Sequence, residues 1–438
     1  MNNINKITSM TNEKNNGKLI AIITMCFIFA MISFVTNMGA PFGNIWGQKY
    51  EFAASWGNLM NFTAYLFMGV PSGMLLKKIG YKKTALYALI LGIVGLAVQY
   101  LSSLYGEGVA VNEIGGVTVC LNLYIYMLGA LICGVCVCML NTVVNPMLNL
   151  LGGGGNKGNQ LIQVGGTLNS LTATLTPMLA GILVGTVTEN TSMSDVSPLL
   201  FIGMAVFAIS FVIISRVSIP EPNLGKQDGE SMTNLMKGAL KFRHMVLGII
   251  AIFFYVGVEI GIPMHLNFYV TNLGFEGSAA IGGSLAAAYW FMMLIGRFCS
   301  TLISGKVSTS LQMTVVSTVA IALLLIAIFL PETTTLVISD HEVPMKVIFI
   351  AACGLCTSIM WGGIFNLSVE GLGKYTEAAS GLFMMMVVGG GLMPWLQDVI
   401  AKASGSIPSY WLQVAMLAYI LFYSVIGCKN VNKDIKVD

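Results

Sequence analysis

Long apolar runs, separated by short polar or Gly/Pro-containing breaks, follow one another along nearly the whole chain. A helix needs about 20 apolar residues to cross a bilayer, and twelve runs reach this length. Strands of a membrane β-barrel would instead alternate between apolar and polar residues, so the pattern excludes a barrel. We predict twelve membrane-spanning helices at residues 19–39, 53–76, 84–104, 119–150, 160–186, 198–217, 244–271, 278–303, 309–330, 345–371, 376–400 and 408–427.

The composition agrees with a membrane protein. Only 9% of the 438 residues are charged and 56% are hydrophobic, whereas about 25% of the residues of a typical soluble domain are charged. A chain of this kind cannot cover a soluble surface. A soluble multi-domain enzyme, a nucleic-acid-binding protein and a disordered scaffold are therefore excluded, and no nucleic-acid partner is expected. The polar first 17 residues do not resemble a cleaved signal peptide.

The Lys and Arg residues indicate the orientation, because cytoplasmic loops carry most of them. Twelve spans that start from a cytoplasmic N-terminus leave only Lys49, Lys346 and Lys402 of the 22 basic residues outside. A missed or invented early helix would destroy this asymmetry. We therefore predict a multi-pass protein of the cytoplasmic (inner) membrane with both termini in the cytoplasm. The 19 basic residues placed inside are Lys6, Lys14, Lys18, Lys77, Lys78, Lys82, Lys83, Lys157, Arg216, Lys226, Lys237, Lys241, Arg243, Arg297, Lys306, Lys374, Lys429, Lys433 and Lys436.

The longest hydrophilic connection, 218–243, divides the chain into two parts of similar length. We predict an all-α membrane protein with an N-terminal six-helix half at 19–217, a C-terminal six-helix half at 244–427 and a central cavity between them. Residues 1–18 and 428–438 are the predicted cytoplasmic tails. Internal sequence similarity between the two halves is weak.

A basic, Gly-punctuated loop follows the second predicted span and reads Gly73-Met-Leu-Leu-Lys77-Lys78-Ile-Gly80-Tyr81-Lys82-Lys83. It resembles the signature loop of the major facilitator superfamily, although Lys77 stands where that family usually has Asp. The resemblance implies two six-helix halves with a substrate site near the midplane between them. It also implies roles in gating and topology for Gly73, Gly80, Lys82 and Lys83, and for Gly296 and Arg297 at the corresponding place in the second half.

Further motifs resemble the fucose permease and glucose/galactose branch of sugar transporters. They are Asn141-Thr-Val-Val-Asn145-Pro, Gly166-Thr-Leu-Asn169-Ser, Tyr255-Val-Gly-Val-Glu259, Gly296-Arg297-Phe and Gly389-Gly-Gly with Pro394. Proton-coupled members of this group carry an Asp in span 1 and a Glu in span 4. Here the matching positions are Asn37 and Asn141, which cannot ionise but can hydrogen-bond a sugar hydroxyl.

Few ionisable residues lie inside the predicted spans. Because an intramembrane acid is costly, Glu259 in span 7 is the candidate ion-coupling residue; alternatively, it pairs with polar side chains and has a structural role. His265 lies off the helical face of Glu259 and is expected to have a satisfied hydrogen bond. Glu370 and Asp398 lie near span ends and are expected to be solvated.

Amides and aromatic rings inside the spans are the groups that bind neutral sugars, through hydroxyl groups and through apolar CH faces respectively. The same amides could instead join helices to one another, and the aromatic rings could pack against lipid. The candidate substrate-binding residues are Asn37, Asn141, Asn145, Gln163, Asn169, Trp290, Trp361 and Asn366.

No motif indicates a cofactor or a metal. The nine cysteines lie mostly within apolar runs such as Cys133-Gly-Val-Cys136-Val-Cys138, which favours helix packing over disulfides or zinc. The 28 methionines are likewise expected to pack between helices. Gly152 to Gly155 is followed by no Gly-Lys-Ser/Thr, so it is not a phosphate-binding loop.

Together these features predict a secondary active transporter that carries a small neutral sugar, such as fucose, glucose or galactose, by alternating access. Cation symport with H+ or Na+ is favoured, and a uniporter without ion coupling is the alternative. A non-transporting sugar sensor would usually need a longer signalling tail, and a membrane enzyme would need a cluster of His, Asp or Glu at one face. We expect a monomer in the lipid bilayer. An anionic sugar is disfavoured because no Arg is expected at mid-membrane.

Overall fold

A computed structural model describes residues 2–53, 55–184, 193–219, 221, 231–275, 277–303, 306–432 and 435. Within these ranges the chain is mainly helical, as the long apolar runs predict, because a helix satisfies its own backbone hydrogen bonds in lipid. The helices are α1 (Asn2–Lys49), α2 (Trp56–Leu101), α3 (Leu121–Gly152), α4 (Gly155–Val184), α5 (Ser197–Arg216), α6 (Met232–Ala239), α7 (Arg243–Thr271), α8 (Ser278–Ile303), α9 (Thr309–Phe329), α10 (Lys346–Thr357), α11 (Met360–Val369), α12 (Thr376–Met385), α13 (Gly389–Ser404) and α14 (Tyr410–Phe422).

Ten helical stretches among the described residues are long and apolar enough to cross a membrane. The helical membrane class is therefore confirmed. Two of the predicted spans, 53–76 and 84–104, fall largely within α2. The 46 residues of α2 form one of the ten stretches. The predicted span 160–186 falls largely on α4, which is not among the ten. The number twelve and its division into two halves thus stay predictions.

The long helix α2 is broken at Gly80, whose backbone has φ +85° and ψ 175°. The carboxylate of Glu221 accepts hydrogen bonds at 2.8 Å from the backbone N–H groups of both Tyr81 and Lys82. An acidic group in this place caps the free N–H groups of the second part of α2. The positive φ requires glycine, and a Cβ on Gly80 would in addition displace the carboxylate of Glu221.

Two β-hairpins were not predicted from the sequence. Strands β1 (Ala110–Ile114) and β2 (Val117–Cys120) pair before α3, and strands β3 (Thr335–Ile338) and β4 (His341–Pro344) pair before α10. Each hairpin turns through two residues with positive φ, the first through two glycines and the second through Ser339 and Asp340. Such two-residue turns match the twist of the paired strands.

The predicted loops and tails differ in part from the structure. The backbone of α1 starts at Asn2, so it includes most of the predicted tail 1–18, and α6 lies within the predicted connection 218–243. The rest of that connection at 220 and 222–230, including Lys226, lies outside the described residues, as do Lys433 and Lys436 of the predicted C-terminal tail. The domain boundaries therefore stay predictions.

The cysteines of the Cys133 to Cys138 cluster are buried in the packing between α2 and α3. Cβ atoms placed on Gly95 and Gly92 would come within 2.7 Å and 2.9 Å of the Cys133 and Cys136 sulfurs. Small residues thus let the two helices approach closely, as the packing interpretation predicts.

Candidate functional site

A central cavity lies between two groups of helices. Side chains of α1, α2, α3 and α4 line one wall, and side chains of α7, α8 and α11 line the other. The empty space between these side chains, which includes the open mouth, is about 730 Å³. Eight of the residues singled out in the sequence line it: Asn37, Asn141, Gln163, Asn169, Glu259, Trp290, Arg297 and Trp361.

Four lining amides lie on the α1 to α4 wall, and each already has a hydrogen bond that fixes its position. Asn37 Nδ2 donates to the Ser33 carbonyl oxygen at 2.8 Å, and Asn141 Nδ2 donates to Tyr65 Oη at 2.8 Å. The Nδ2 group of Asn169 donates to the Phe29 carbonyl oxygen at 2.9 Å. Since an amide has two donor hydrogens and two acceptor lone pairs, each side chain keeps bonding capacity for a ligand.

The opposite wall carries an ion pair. Arg297 Nη2 lies 3.2 Å from Glu259 Oε1, and the two side chains are only 6% and 13% exposed. Glu259 comes from the middle of α7 and Arg297 from α8. The pair is net neutral, and each partner keeps the other from being an isolated charge, which would be costly in this environment.

Arg297 also reaches across the cavity. Its Nη1 group donates to the Gly166 carbonyl oxygen at 2.8 Å and to Asn169 Oδ1 at 3.3 Å, both on α4. Its Nε donates to the Ser358 carbonyl oxygen at 2.9 Å, next to α10. The guanidinium therefore joins α8 to the opposite wall while it holds Glu259.

From the sequence, Arg297 is predicted among the basic residues of the cytoplasmic loops, and no Arg is predicted at mid-membrane. The structure corrects this position: Arg297 is buried and lines the cavity. The physical reason is that Glu259 supplies a countercharge and three oxygen acceptors complete its hydrogen bonding, so the side chain does not have to reach the membrane surface. The neighbouring Gly296 allows close helix approach, since a Cβ there would lie 2.5 Å from the Leu355 carbonyl oxygen.

The two tryptophans face the cavity from α8 and α11. Trp361 Nε1 donates to Asn145 Oδ1 at 3.0 Å, and its ring makes edge contacts with Tyr255 and Phe383. The ring orientation of Trp361 is therefore fixed on both sides. Trp290 lies on α8, about two helical turns before Arg297.

Asn145 and Asn366 do not line the cavity. Asn145 is fully buried and accepts the hydrogen bond of Trp361. Asn366 Oδ1 accepts from Asn149 Nδ2 at 3.2 Å, farther along α3 and α11. Both are predicted to bind the substrate because they are amides inside apolar spans, but contacts between helices, which a single sequence does not show, place them beyond the cavity wall.

Some lining residues were missed in the sequence. Ser33 and Thr36 line the cavity beside Asn37, and Tyr65 reaches it from α2. The spacing of Ser33, Thr36 and Asn37, about one helical turn, is a signal that could have found the first two. Tyr65 was hidden because one aromatic residue in an apolar run gives no directional signal.

The remaining ionisable groups agree with their predicted places. His265 is buried, and its Nε2 lies 3.1 Å from the Pro394 carbonyl oxygen. Glu370 is exposed, and Asp398 is paired with Lys402 at 2.9 Å. None of these side chains is among those that line the cavity.

Three gate candidates, Gly73, Lys82 and Lys83, lie outside the cavity. A Cβ on Gly73 of α2 would lie 3.3 Å from the Gly381 Cα of α12, so the two helices are close enough there to require small residues. Lys83 is exposed, and Lys82 donates its backbone N–H to Glu221. Both basic side chains therefore lie next to the break in α2 rather than near the cavity.

Comparisons with known proteins agree on one family. The sequence profile of the Major Facilitator Superfamily matches residues 10–394. A relative from Brucella abortus named "Glucose/galactose transporter" is 26% identical over 97% of both chains. A relative from Escherichia coli named "L-fucose-proton symporter" is 21% identical over 82% of this chain and 81% of its own length. A solved structure described as a major facilitator transporter, FucP, in the outward conformation aligns with a TM-score of 0.75 and 19% identity, covering 93% of this chain and 98% of the other.

Proposed function

The chain belongs to the major facilitator superfamily, and on this premise we propose that it carries a small neutral sugar across the cytoplasmic membrane by alternating access, in symport with H+ or Na+. The observation that carries the proposal is the cavity itself. Four amides lie across the cavity from two tryptophans and one neutralised ion pair. Amides match sugar hydroxyls, aromatic faces match CH groups, and a net-neutral lining suits a neutral solute.

The relatives support the substrate class. Their printed names refer to glucose, galactose and L-fucose. In this chain the sugar would be held by Asn37, Asn141, Gln163, Asn169, Trp290 and Trp361, which line the cavity, whereas Asn145 would act by holding Trp361.

The proposed architecture has twelve spans in two six-helix halves. The break at Gly80 divides α2 into two parts that match the second and third predicted spans, and α4 matches the fifth. The two hairpins occupy equivalent places, between the third and fourth spans and between the ninth and tenth. This repetition supports two related halves, and the placement of Lys and Arg favours both termini on the cytoplasmic side. We expect a monomer.

Ion coupling is proposed to depend on Glu259. Its carboxylate faces the cavity and fixes one nitrogen of Arg297, while another nitrogen of the same guanidinium holds α4 of the other half. Binding of a proton or a sodium ion would neutralise Glu259 and remove one partner of Arg297. The contact between the halves would thereby respond to the ion.

A uniporter is the second candidate, and a specific observation favours it. Asn37 and Asn141 replace the two acids of proton-coupled members, and Glu259 is already engaged by Arg297. If that pair stays intact throughout the cycle, no group in the cavity binds the ion and the sugar only equilibrates.

The test is uptake of radiolabelled D-glucose, D-galactose and L-fucose into proteoliposomes under a proton gradient, a sodium gradient or no gradient. Accumulation above equilibrium under one gradient identifies symport and its ion. Equilibration under all three conditions identifies the uniporter. No uptake of any of the sugars contradicts the proposed substrate class.

A further inference from the structure

A row of neutral hydrogen bonds joins the two halves on the side of the cavity that leads to Lys157, Lys306 and Lys374. Here it is named the amide seam, which consists of four bonds and one additional amide. Trp361 Nε1 donates to Asn145 Oδ1 at 3.0 Å, Asn149 Nδ2 to Asn366 Oδ1 at 3.2 Å, Gln160 Nε2 to the Thr301 carbonyl oxygen at 2.9 Å and Gln163 Nε2 to the Ile359 carbonyl oxygen at 3.2 Å. The additional amide is Asn159 on α4.

The amide seam is continuous with the cavity. Gln163 and Trp361 both line the cavity and both make seam bonds. Asn149, Gln160 and Asn366 lie farther toward the ends of their helices, on the side where Lys157 lies in the first turn of α4 and where Lys306 and Lys374 lie in connections between helices. Under the proposed orientation, a solute that leaves the cavity for the cytoplasm would pass between these side chains.

Opening of that route must break the seam bonds, since each joins one half to the other. The freed amides would then lack partners, which is costly unless water or a solute replaces them. Sugar hydroxyls both donate and accept hydrogen bonds, as the amides do. A gate made of ion pairs would instead leave unpaired charges along the exit.

Asn159 provides an independent observation. Its side chain is 2% exposed, yet its Oδ1 has no hydrogen-bond partner among the described residues. A Cβ on Gly362 would lie 3.0 Å from this oxygen and 2.7 Å from Gln163 Nε2, and both Gly362 and Gln163 line the cavity. A free acceptor therefore lies directly behind the cavity floor, where no contact of the closed state uses it.

We propose that the amide seam is a second, exit-side binding site for the sugar, formed when the halves part on the cytoplasmic side, with Asn159 Oδ1 as an acceptor for a sugar hydroxyl. This proposal rests on the proposed function. It goes further because it gives the sugar two successive sites. The first is the central cavity, and the second lies between Asn149, Asn159 and Asn366 on the way to the cytoplasm.

The test compares Asn159→Leu with the matched control Asn61→Leu. Asn61 is also a buried asparagine whose Oδ1 lacks a partner, but it lies in α2, away from the seam. The substitution of Asn159 breaks none of the four bonds of the amide seam. It therefore changes the proposed exit site without removing a bond that joins the two halves. The half-saturating concentration of D-glucose, D-galactose or L-fucose is measured separately at the outer and the inner face, in right-side-out and inside-out vesicles, with no sugar on the opposite side.

We expect Asn159→Leu to raise the inner half-saturating concentration about fivefold, the equivalent of one neutral hydrogen bond, and to leave the outer value within about twofold. Asn61→Leu should change neither. Unchanged inner values in Asn159→Leu, or equal changes in both variants, overturn the exit site while the proposed function stands. Absence of transport by the wild-type chain overturns the proposed function as well. Asn159→Ala provides the same comparison if the Leu variant does not fold.

Discussion

Removal of Arg297 alone should damage this protein more than removal of the whole ion pair. In Arg297→Gln, Glu259 loses its countercharge while its side chain remains 13% exposed. Breaking a buried pair from one side costs about 3–5 kcal/mol, whereas replacement of both partners is often nearly neutral. The double variant Glu259→Gln, Arg297→Gln should therefore recover most of the stability that the single variant loses.

Glu259→Gln alone should be milder than Arg297→Gln. The guanidinium keeps three oxygen acceptors, which are the carbonyl groups of Gly166 and Ser358 and the side chain of Asn169. Its charge is still solvated by these dipoles, so we expect a loss of about 1–3 kcal/mol, which is typical of one charged hydrogen bond. The wild type is then expected to be the most stable and Arg297→Gln the least stable. Glu259→Gln and the double variant lie between them.

Thermal unfolding in detergent can be followed with a thiol-reactive fluorophore. The buried cysteines become reactive only when the helices separate, whereas the exposed Cys299 gives a signal before unfolding that is subtracted; the buried ones are Cys26, Cys133, Cys136, Cys138, Cys353 and Cys356. Sugar accumulation is measured after the same purified variants have been reconstituted into proteoliposomes. If Glu259 couples the ion, both variants that lack it should exchange sugar without accumulating it.

Two results would refute this reasoning. Equal destabilisation in Arg297→Gln and in the double variant would show that the charge of Glu259 is not what makes the single substitution costly. Accumulation at the wild-type level in the double variant would show that ion coupling does not need Glu259, and the uniporter or another ion site would then replace the proposal.

Three further predictions follow from single contacts. Gly80→Ala should lower the unfolding temperature and the transport rate, because alanine at φ +85° and ψ 175° is strained by about 1–3 kcal/mol and its Cβ meets the carboxylate of Glu221; an unchanged melting curve would contradict the need for glycine at this break. Asn141→Ala should raise the outer half-saturating sugar concentration about fivefold, as expected for one lost hydrogen bond, and an unchanged value in uptake kinetics would remove Asn141 from the site. Trp361→Phe keeps the aromatic face but loses the bond to Asn145, so it should raise the half-saturating concentration less than Trp361→Ala does, and equal effects in the uptake assay would contradict stacking of the sugar on the ring.

The site residues that could be predicted from the sequence are polar residues inside long apolar helices. Asn141 and the acid at Glu259 stand out because polar residues inside a long apolar run need a partner or a cavity, whatever the neighbouring helices are. Both line the cavity. The same argument indicated Gln163 and Asn169 on α4.

The parts that the sequence did not show depend on which helices meet. Arg297 was placed in a cytoplasmic loop because a lone Arg near a span end usually extends to the membrane surface. Its countercharge lies 38 positions earlier in the chain, and its other acceptors lie on α4 and beside α10. The hairpin of β3 and β4 was missed for a similar reason, since Ser339 and Asp340 form an ordinary loop until the flanking strands pair.

The two proposed halves contribute different chemistry to the cavity. Helices α1, α3 and α4 supply neutral amides, and α7, α8 and α11 supply the ion pair and the tryptophans. Arg297 is where the two contributions meet, because its Nη1 bonds to Gly166 and Asn169 cross between the halves. When the halves part on the cytoplasmic side, these two bonds must lengthen together with the amide seam. We infer that Arg297 then keeps its bond to the Ser358 carbonyl oxygen and has a free Nη1 donor toward the exit. A sugar hydroxyl oxygen can accept from this donor at the moment when Asn159 Oδ1 becomes available as an acceptor, so the solute itself replaces the contacts that opening breaks. Release would therefore be easier for a hydroxylated solute than for an apolar one of the same size.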